Sequence, residues 1–115
     1  MLDVIVQIDV APQQINYGSD TAAQISTGSG GAAGNVAAWL TRTPARSTIV
    51  SRVGDDPAGA AIITEFDELG VSHSDLTTKG KSSGVVIVLV DSSGERTMFP
   101  DKGANSFLEI ADMPD

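Results

Sequence analysis

The chain of 115 residues contains no cysteine, a single histidine and few basic residues. Without cysteine it can form no disulfide bond, no thiolate metal site and no cysteine nucleophile, and His73 alone cannot form a histidine cluster. Seven Lys and Arg stand against fifteen Asp and Glu, which gives a net charge of −8. Because nucleic acids and anionic lipid surfaces are held mainly by clustered Lys and Arg, this balance argues against both as partners.

Long hydrophobic runs are also missing. The longest run of strongly apolar residues, 85–90, is far shorter than the roughly 20 residues of a membrane-spanning helix. The N-terminal stretch has no basic flank and places Asp3 and Asp9 among its apolar residues, so it does not resemble a secretory signal. The length and the 41% apolar content fit one folded unit. The composition as a whole is that of a cytoplasmic protein.

The first half of the chain predicts strands around one helix. Residues 2–10 alternate between apolar and other positions, which predicts a strand with Asp3 facing away from its apolar side. The polar residues 15–27 suggest an exposed strand pair or ribbon. A glycine-rich turn, 28–34, precedes a helix that starts near Asn35 and stops before Pro44. A short strand is expected over 47–53.

The second half predicts a further helix and a hairpin. Asp56 and Pro57 supply an N-cap and a first-turn proline for a helix that ends at Gly70. Its expected core stripe consists of Ile62, Phe66 and Leu69. Residues 84–91 and 95–100 form an antiparallel pair around a Ser-Ser-Gly turn. Strands that alternate with helices predict an α/β protein with a largely parallel sheet, to which the ribbon and hairpin are additions.

Several local patterns have simpler explanations than a site. Residues 28–33 match the G-x-G-x-x-G/A dinucleotide pattern, but the polar stretch before them is unlike the buried strand that this motif follows. The Asp55–Asp56 pair is better explained as a helix cap than as a metal site. His73 reads as part of a solvated turn, Trp39 as core, and Arg96 as a solvated strand position with substrate contact as the minority interpretation.

Two features point to binding of a polyol. Asp3 is a carboxylate on a first strand, and Gly30-Gly31 followed by Asn35 brings bare backbone and an amide to the start of a helix. Glycines let a ligand approach the backbone, and carboxylate and amide groups hold vicinal hydroxyls. The alternative, that Asn35 only caps the helix and Asp3 lies exposed at a strand edge, is about equally supported by the pattern.

Taken in order, these motifs resemble the N-terminal part of a ribokinase-like, or PfkB-type, carbohydrate kinase. The resemblance covers nearly the whole chain; Pro44, where the family usually has Gly or Ser, is a departure. It rests on Gly30-Gly31-Ala32-Ala33-Gly34-Asn35-Val36-Ala37-Ala38, Val53-Gly54-Asp55-Asp56-Pro57-Ala58-Gly59, residues 84–90, Gly94-Glu95-Arg96 and Gly103-Ala104-Asn105.

The resemblance implies a partial three-layer α/β fold with a β-sheet lid over a sugar, formed by an N-terminal ribbon at about 9–27 and a hairpin at 84–100. It implies that Asp3 binds sugar hydroxyls, that Gly30 and Gly31 make backbone contacts and that Asn35 binds substrate. Arg96 and Lys102 are candidate lid contacts, and a homodimer through the lid is an expectation. No metal-ligating residue is assigned within the chain.

The complete enzyme that the resemblance implies transfers phosphate from ATP, with Mg²⁺, to a hydroxyl of a sugar or nucleoside. The catalytic-base motif G-x-G-D of such kinases does not occur in this sequence. Residues 1–115 are therefore expected to be an incomplete N-terminal part, cut at both ends, that binds no ATP or Mg²⁺ alone and is inactive alone. The alternative is a non-catalytic carbohydrate-binding or lid-mediated dimerisation module; a dinucleotide-binding fragment is weaker still.

Overall fold

The computed structural model describes residues 1–74 and 76–114. The elements follow one another as β1 (Leu2–Ile8), β2 (Ala23–Ser29), α1 (Ala32–Leu40), β3 (Thr48–Ile49), β4 (Arg52–Gly54), α2 (Pro57–Leu69), β5 (Ser72–His73), β6 (Leu76–Thr78), β7 (Val85–Val90) and β8 (Arg96–Asp101). Short 3-10 turns occur at Pro12–Gln14, Gly103–Phe107 and Ile110–Asp112.

The largest sheet has four strands in the order β2-β1-β7-β8. β1 is antiparallel to β2 and parallel to β7, and β7 and β8 form the predicted antiparallel hairpin. Two small sheets, β3–β5 and β4–β6, are both parallel. The α/β class and its parallel pairing are as expected, and β1 belongs to the mixed sheet together with the hairpin.

The pairing register gives this four-stranded sheet two distinct faces. Side chains alternate along a strand and directly paired residues share a face. The first face carries Asp3, with Val86 and Pro100 in the same row. The second face is the more apolar; it carries Leu2, Val4, Val6, Ile25, Ile87, Leu89 and Phe99.

Helix α2 begins and ends where the sequence predicts. Asp56 is its N-cap, and the Asp56 side chain accepts a hydrogen bond from the backbone N–H of Gly59. Pro57 occupies the first turn, where its missing N–H has no cost. Gly70 ends the helix in the left-handed conformation, with φ +71°.

The core packs both helices against the small sheets. Its buried side chains are Ala37, Ile49, Val53, Ile62, Phe66 and Val71. Two predicted core residues are wrong: Leu69 is 47% exposed and Trp39 is 67% exposed. In α1 the buried residue is Ala37, and Trp39, two positions later, lies about 200° around the helix. The guanidinium of Arg42 covers one face of the Trp39 ring, at 4.9 Å from its centre.

Four other local predictions also need correction. The stretch 15–27 contributes one strand, β2, and not a strand pair, because β1 is its partner. The expected strand over 47–53 is interrupted at residues 50–51, since β3 and β4 pair in different sheets. Helix α1 ends at Leu40, four residues before Pro44, so the proline is not the residue that ends it. His73 lies in β5, not in a solvated turn, and its side chain is only 11% exposed.

The two helices are short. No helix among the residues that the structure describes is long and apolar enough to cross a membrane.

Candidate functional site

The Asp3 carboxylate lies against the backbone of Gly30. Asp3 is half-buried near the start of β1, and Gly30 follows the end of the antiparallel neighbour β2. A methyl group at position 30 would overlap the Asp3 carboxylate, so only glycine leaves room for it there. The Gly30 N–H donates to the carbonyl of Met1 at 2.9 Å, which holds the two segments together. The structure thus brings Asp3 and Gly30 to one corner.

Gly31 turns the chain from β2 into α1. It is the N-cap residue, with φ +92°, a conformation that residues with a side chain rarely adopt. The prediction that α1 starts near Asn35, with Asn35 as its possible cap, is wrong, because the helix begins at Ala32. Asn35 lies inside the first turn, where its N–H bonds the Gly31 carbonyl at 3.0 Å. Its exposed side chain makes no hydrogen bond to the part of the chain that the structure describes.

A cavity of about 170 Å³ opens beside this corner. The turn 30–34 forms one wall, and Ile49 and Phe66 give it an apolar side. Its remaining lining residues are Met1, Ser51 and Asn105. Its combination of an apolar surface with a few polar groups is typical of small-molecule sites, but its volume is below the roughly 300 Å³ at which such sites begin.

The four-stranded sheet is anchored to the rest of the molecule at the same place. The N–H of Leu2 donates to the Gly84 carbonyl at 2.9 Å, where β7 begins. The N–H of Ala104 donates to the Ser82 carbonyl at 2.8 Å, just after β8 ends. The starts of β1 and β7 and the ends of β2 and β8 therefore converge beside the cavity, and the sheet extends away from it within a molecule 51 Å long.

A buried hydrogen-bond cluster fixes the chain before β7. The Asp56 carboxylate accepts from the Ser83 N–H at 2.7 Å and from the Ser83 hydroxyl at 2.6 Å. The Ser83 hydroxyl in turn accepts from the Gly54 N–H at 2.9 Å. The Ser83 hydroxyl, the Ser83 N–H and the Gly59 N–H hold the pKa of Asp56 below its usual value against the opposing effect of burial. The prediction that Asp56 caps a helix is confirmed.

The other acidic groups in this region do not form a metal site. A larger depression of about 660 Å³ lies at the start of α2 and includes Asp55 and Asp56. Asp55 accepts two hydrogen bonds from the Gly80 N–H, at 3.1 and 3.2 Å, so both carboxylates are already engaged by backbone donors. Within residues 1–74 and 76–114, no three His, Asp or Glu side chains are grouped closely enough to hold a metal ion.

The two candidate lid contacts lie at opposite ends of the sheet. Arg96 pairs with Val90 at the start of β8 and shares the face of Asp3. It is four residues further along the strands than the row of Asp3, a separation of about 13 Å. Lys102 is exposed and follows β8 at the anchored end, where its carbonyl accepts from the Asn105 N–H at 3.0 Å.

Ser51 and Asn105 were not identified as site residues by sequence reasoning. Asn105 stands in the Gly103-Ala104-Asn105 motif, so its position was visible, but no role followed from the motif alone. Ser51 was hidden inside the predicted strand 47–53. Only the interruption between β3 and β4 places it at the cavity.

This architecture is a partial ribokinase-like fold. It superposes on a solved ribokinase structure from Giardia lamblia with a TM-score of 0.81 and 24% identity, over 96% of this chain and 34% of that one. It also matches the structure of Arabidopsis thaliana ribokinase complexed with ribose and ATP, with a TM-score of 0.74 and 26% identity, over 90% of this chain and 34% of that one.

The chain belongs to the pfkB family of carbohydrate kinases, whose family model matches residues 3–115. A curated fructokinase from Vibrio alginolyticus is 34% identical over 87 residues, which are 73% of this chain and 28% of that protein. The chain therefore spans less than a third of the length of this relative. The resemblance inferred from the sequence motifs is confirmed.

Proposed function

We propose that this chain is the sugar-binding and lid portion of an ATP-dependent kinase that phosphorylates a hydroxyl of a monosaccharide or nucleoside. The observation that carries the proposal is the contact of the Asp3 carboxylate with Gly30, beside a cavity bounded by the turn 30–34. An ionised carboxylate accepts hydrogen bonds from sugar hydroxyls, and the glycine turn leaves backbone groups accessible to them. The Gly30 and Gly31 backbone and the Asn35 amide complete the binding set.

The four-stranded sheet acts as the lid over this site. Its strands meet the rest of the molecule beside the cavity, and the face that carries Asp3 covers the sugar. The segments 9–27 and 84–100 contribute most of β2, all of β7 and most of β8 to this lid, and β1 completes it. Lys102, at the anchored end, is the candidate contact for the part of a ligand that projects from the cavity, and Arg96 is the candidate contact for a ligand that extends toward the outer end of the lid.

Phosphoryl transfer requires groups that this chain does not supply. Catalysis of this reaction rests on positioning and on electrostatic stabilisation of the transferred phosphoryl group by a cation and an anion hole. The sequence contains no G-x-G-D motif, and the described acidic groups do not fit a Mg²⁺ site. ATP and Mg²⁺ accordingly belong to the complete enzyme, and this chain alone is inactive. Its lack of cysteine fits the cytoplasm as the place of action.

Titration calorimetry of the chain with D-ribose and D-fructose tests the binding role directly. Asp3→Ala removes the carboxylate and is expected to weaken sugar binding at least about tenfold, as for a charge-assisted hydrogen bond. Asp9→Ala is the matched control, because Asp9 is exposed and lies just beyond the opposite end of β1. Unchanged affinity in Asp3→Ala, or no binding of any monosaccharide or nucleoside by the wild-type chain, contradicts the proposal.

A second candidate function is a non-catalytic carbohydrate-binding or dimerisation module, and one surface favours it. The apolar second face of the lid sheet includes Ile25, 67% exposed, and Phe99, 57% exposed. Val4, Val6 and Ile87 lie between these two along the paired strands. Exposed apolar surface of this kind typically marks an interaction site. A second copy of the chain, bound through this face, would form a homodimer through the lid in either function.

A further inference from the structure

The cavity contains two polar side chains to which the binding set described above gives no role. The Ser51 hydroxyl and the Asn105 amide belong to residues that line it together with the turn 30–34. Neither group makes a hydrogen bond to any residue that the structure describes, and both residues are half-buried. Because both residues are only half-buried, their polar groups remain accessible to a ligand in the cavity.

The backbone around Asn105 is held on both sides. Ala104 is fully buried, and its N–H is bonded to Ser82 at 2.8 Å. The Asn105 N–H donates to the Lys102 carbonyl at 3.0 Å, and its carbonyl accepts from Leu108 at 3.2 Å. These bonds use the main chain and leave the side-chain amide available.

Packing also positions the amide itself. A methyl group at Gly84 would overlap the Asn105 side-chain amide, so the amide lies directly against the Cα of Gly84. Gly84 immediately precedes β7, and its carbonyl binds the N–H of Leu2, the residue before Asp3. The amide therefore lies between the cavity and the anchored end of the lid sheet. Its donor and acceptor atoms form no hydrogen bond to any residue that the structure describes.

We propose that Asn105 is a further sugar-binding and specificity-determining residue of this site, with Ser51 beside it. The inference rests on the proposed sugar-binding function. An amide offers a donor and an acceptor together, which matches a hydroxyl that must both donate and accept, whereas the Asp3 carboxylate can only accept. Asn105 thus recognises a hydroxyl other than the one that Asp3 holds, and a sugar lacking that hydroxyl leaves the amide unpaired and binds less well.

A purely structural role for Asn105, as a spacer against Gly84, predicts a different pattern. Loss of a spacer changes the affinity for every sugar by the same factor. Loss of a hydrogen bond to one hydroxyl changes the affinity for sugars that carry this hydroxyl and leaves the matching deoxy sugar unaffected. A double-mutant cycle between residue and ligand separates the two.

The experiment is titration calorimetry of Asn105→Ala, Asn105→Asp and Ser51→Ala with whichever of D-ribose and D-fructose binds, and with its monodeoxy analogues. We expect Asn105→Ala to weaken binding of the parent sugar about three- to tenfold, with no further loss for one deoxy analogue. Asn16→Ala serves as the matched control, because Asn16 lies in the loop between β1 and β2 and bonds Asp20. Ser51→Ala removes a hydroxyl that lines the same cavity and leaves the 3-10 turn Gly103–Phe107 unchanged. It therefore tests the polar lining of the cavity if the Asn105→Ala variant does not fold.

The outcomes are separable. If Asp3→Ala weakens binding but Asn105→Ala and Ser51→Ala do not, the role of Asn105 is overturned and the proposed function stands. If Asn105→Ala weakens the binding of every analogue by the same factor, the role of Asn105 in recognition is likewise overturned, and Asn105 is a spacer against Gly84. If the wild-type chain binds no sugar, both proposals are overturned.

Discussion

The Asp56 side chain joins the start of α2 to the segment that precedes β7. It caps α2 through Gly59 and holds Ser83 through two further hydrogen bonds. Its lowered pKa means that the folded state favours the ionised carboxylate. The associated stability is present above the unfolded-state pKa, near 3.9, and is lost as the pH falls through the lower folded-state pKa.

Replacing Asp56 with Asn therefore lowers stability most at neutral pH. The amide cannot accept both Ser83 bonds as a carboxylate does, so the free energy of unfolding at pH 7 is expected to fall by about 1–2 kcal/mol. The difference from wild type narrows as the pH falls below the unfolded-state pKa of Asp56 and toward its lower folded-state pKa, where the wild-type carboxyl also becomes protonated. Urea denaturation at pH 7 and pH 3 measures this, and a difference that is the same at both pH values contradicts the assignment.

The local structural roles of single residues were predictable from sequence only where a residue type is restricted to few uses. Asp56 before a proline, and glycines beside a carboxylate-bearing strand, gave the correct positions because caps and close backbone approaches accept few residues. The start of α1 was predicted wrongly at Asn35, because asparagine is a common N-cap residue. In the structure Gly31 is the N-cap residue. Ser51 and Asn105 could not be found, because their nearness depends on contacts between distant segments.

At the scale of elements, the two helices differ in how strongly their sequences specify them. α2 has a side-chain cap, a first-turn proline and a glycine end, and its bounds were predicted correctly. α1 has no side-chain cap and contains Gly34, and its start was misplaced by three residues, Ala32 in the structure against Asn35 predicted. The sequence of α1 also did not reveal that Trp39 is exposed. On a short helix rich in alanine, the apolar pattern does not define which side is buried.

The third position of each helix is a glycine, and the two glycines are expected to respond oppositely to alanine. At Gly34 a methyl group would meet only the Phe66 ring at ordinary contact distance, so Gly34→Ala should stabilise the fold by about 0.5–1 kcal/mol. At Gly59 a methyl group would overlap the Gly54 carbonyl oxygen, so Gly59→Ala should destabilise it. Thermal and urea unfolding of the two variants measure the change in the free energy of unfolding. Destabilisation by Gly34→Ala would show that α1 is packed differently.

Across the whole molecule, the order of the longer elements was predictable, but the short strands β5 and β6 were missed and the assembly was only partly predictable. The hairpin β7–β8 followed from a short turn between two apolar runs, which is a local signal. The parallel pairing of β1 with β7 joins residues more than eighty positions apart, and no local pattern reports it. The same holds for the split between β3 and β4, which depends on the partners β5 and β6.

The proposed association of two copies through the second face of the four-stranded sheet can be tested with two adjacent residues. Phe99 and Met98 are adjacent and equally exposed, at 57% and 56%, but lie on opposite faces. If the second face forms a homodimer, Phe99→Asp should raise the dimer dissociation constant at least about tenfold, whereas Met98→Asp should leave it nearly unchanged. Sedimentation velocity over a concentration series measures both. Equal effects of the two substitutions, or a monomeric wild-type chain, would remove this face as an interface.

The central claim is that a sugar binds where Asp3 meets Gly30. The most direct measurement is an amide NMR titration of the isotope-labelled chain with D-ribose and D-fructose, repeated on Asp3→Ala. The account predicts saturable shifts concentrated at the backbone amides of Asp3, Gly30 and Gly31, and their loss in the variant. Shifts centred on the start of α2 at Asp55 and Gly59, or shifts that persist unchanged in Asp3→Ala, would contradict it.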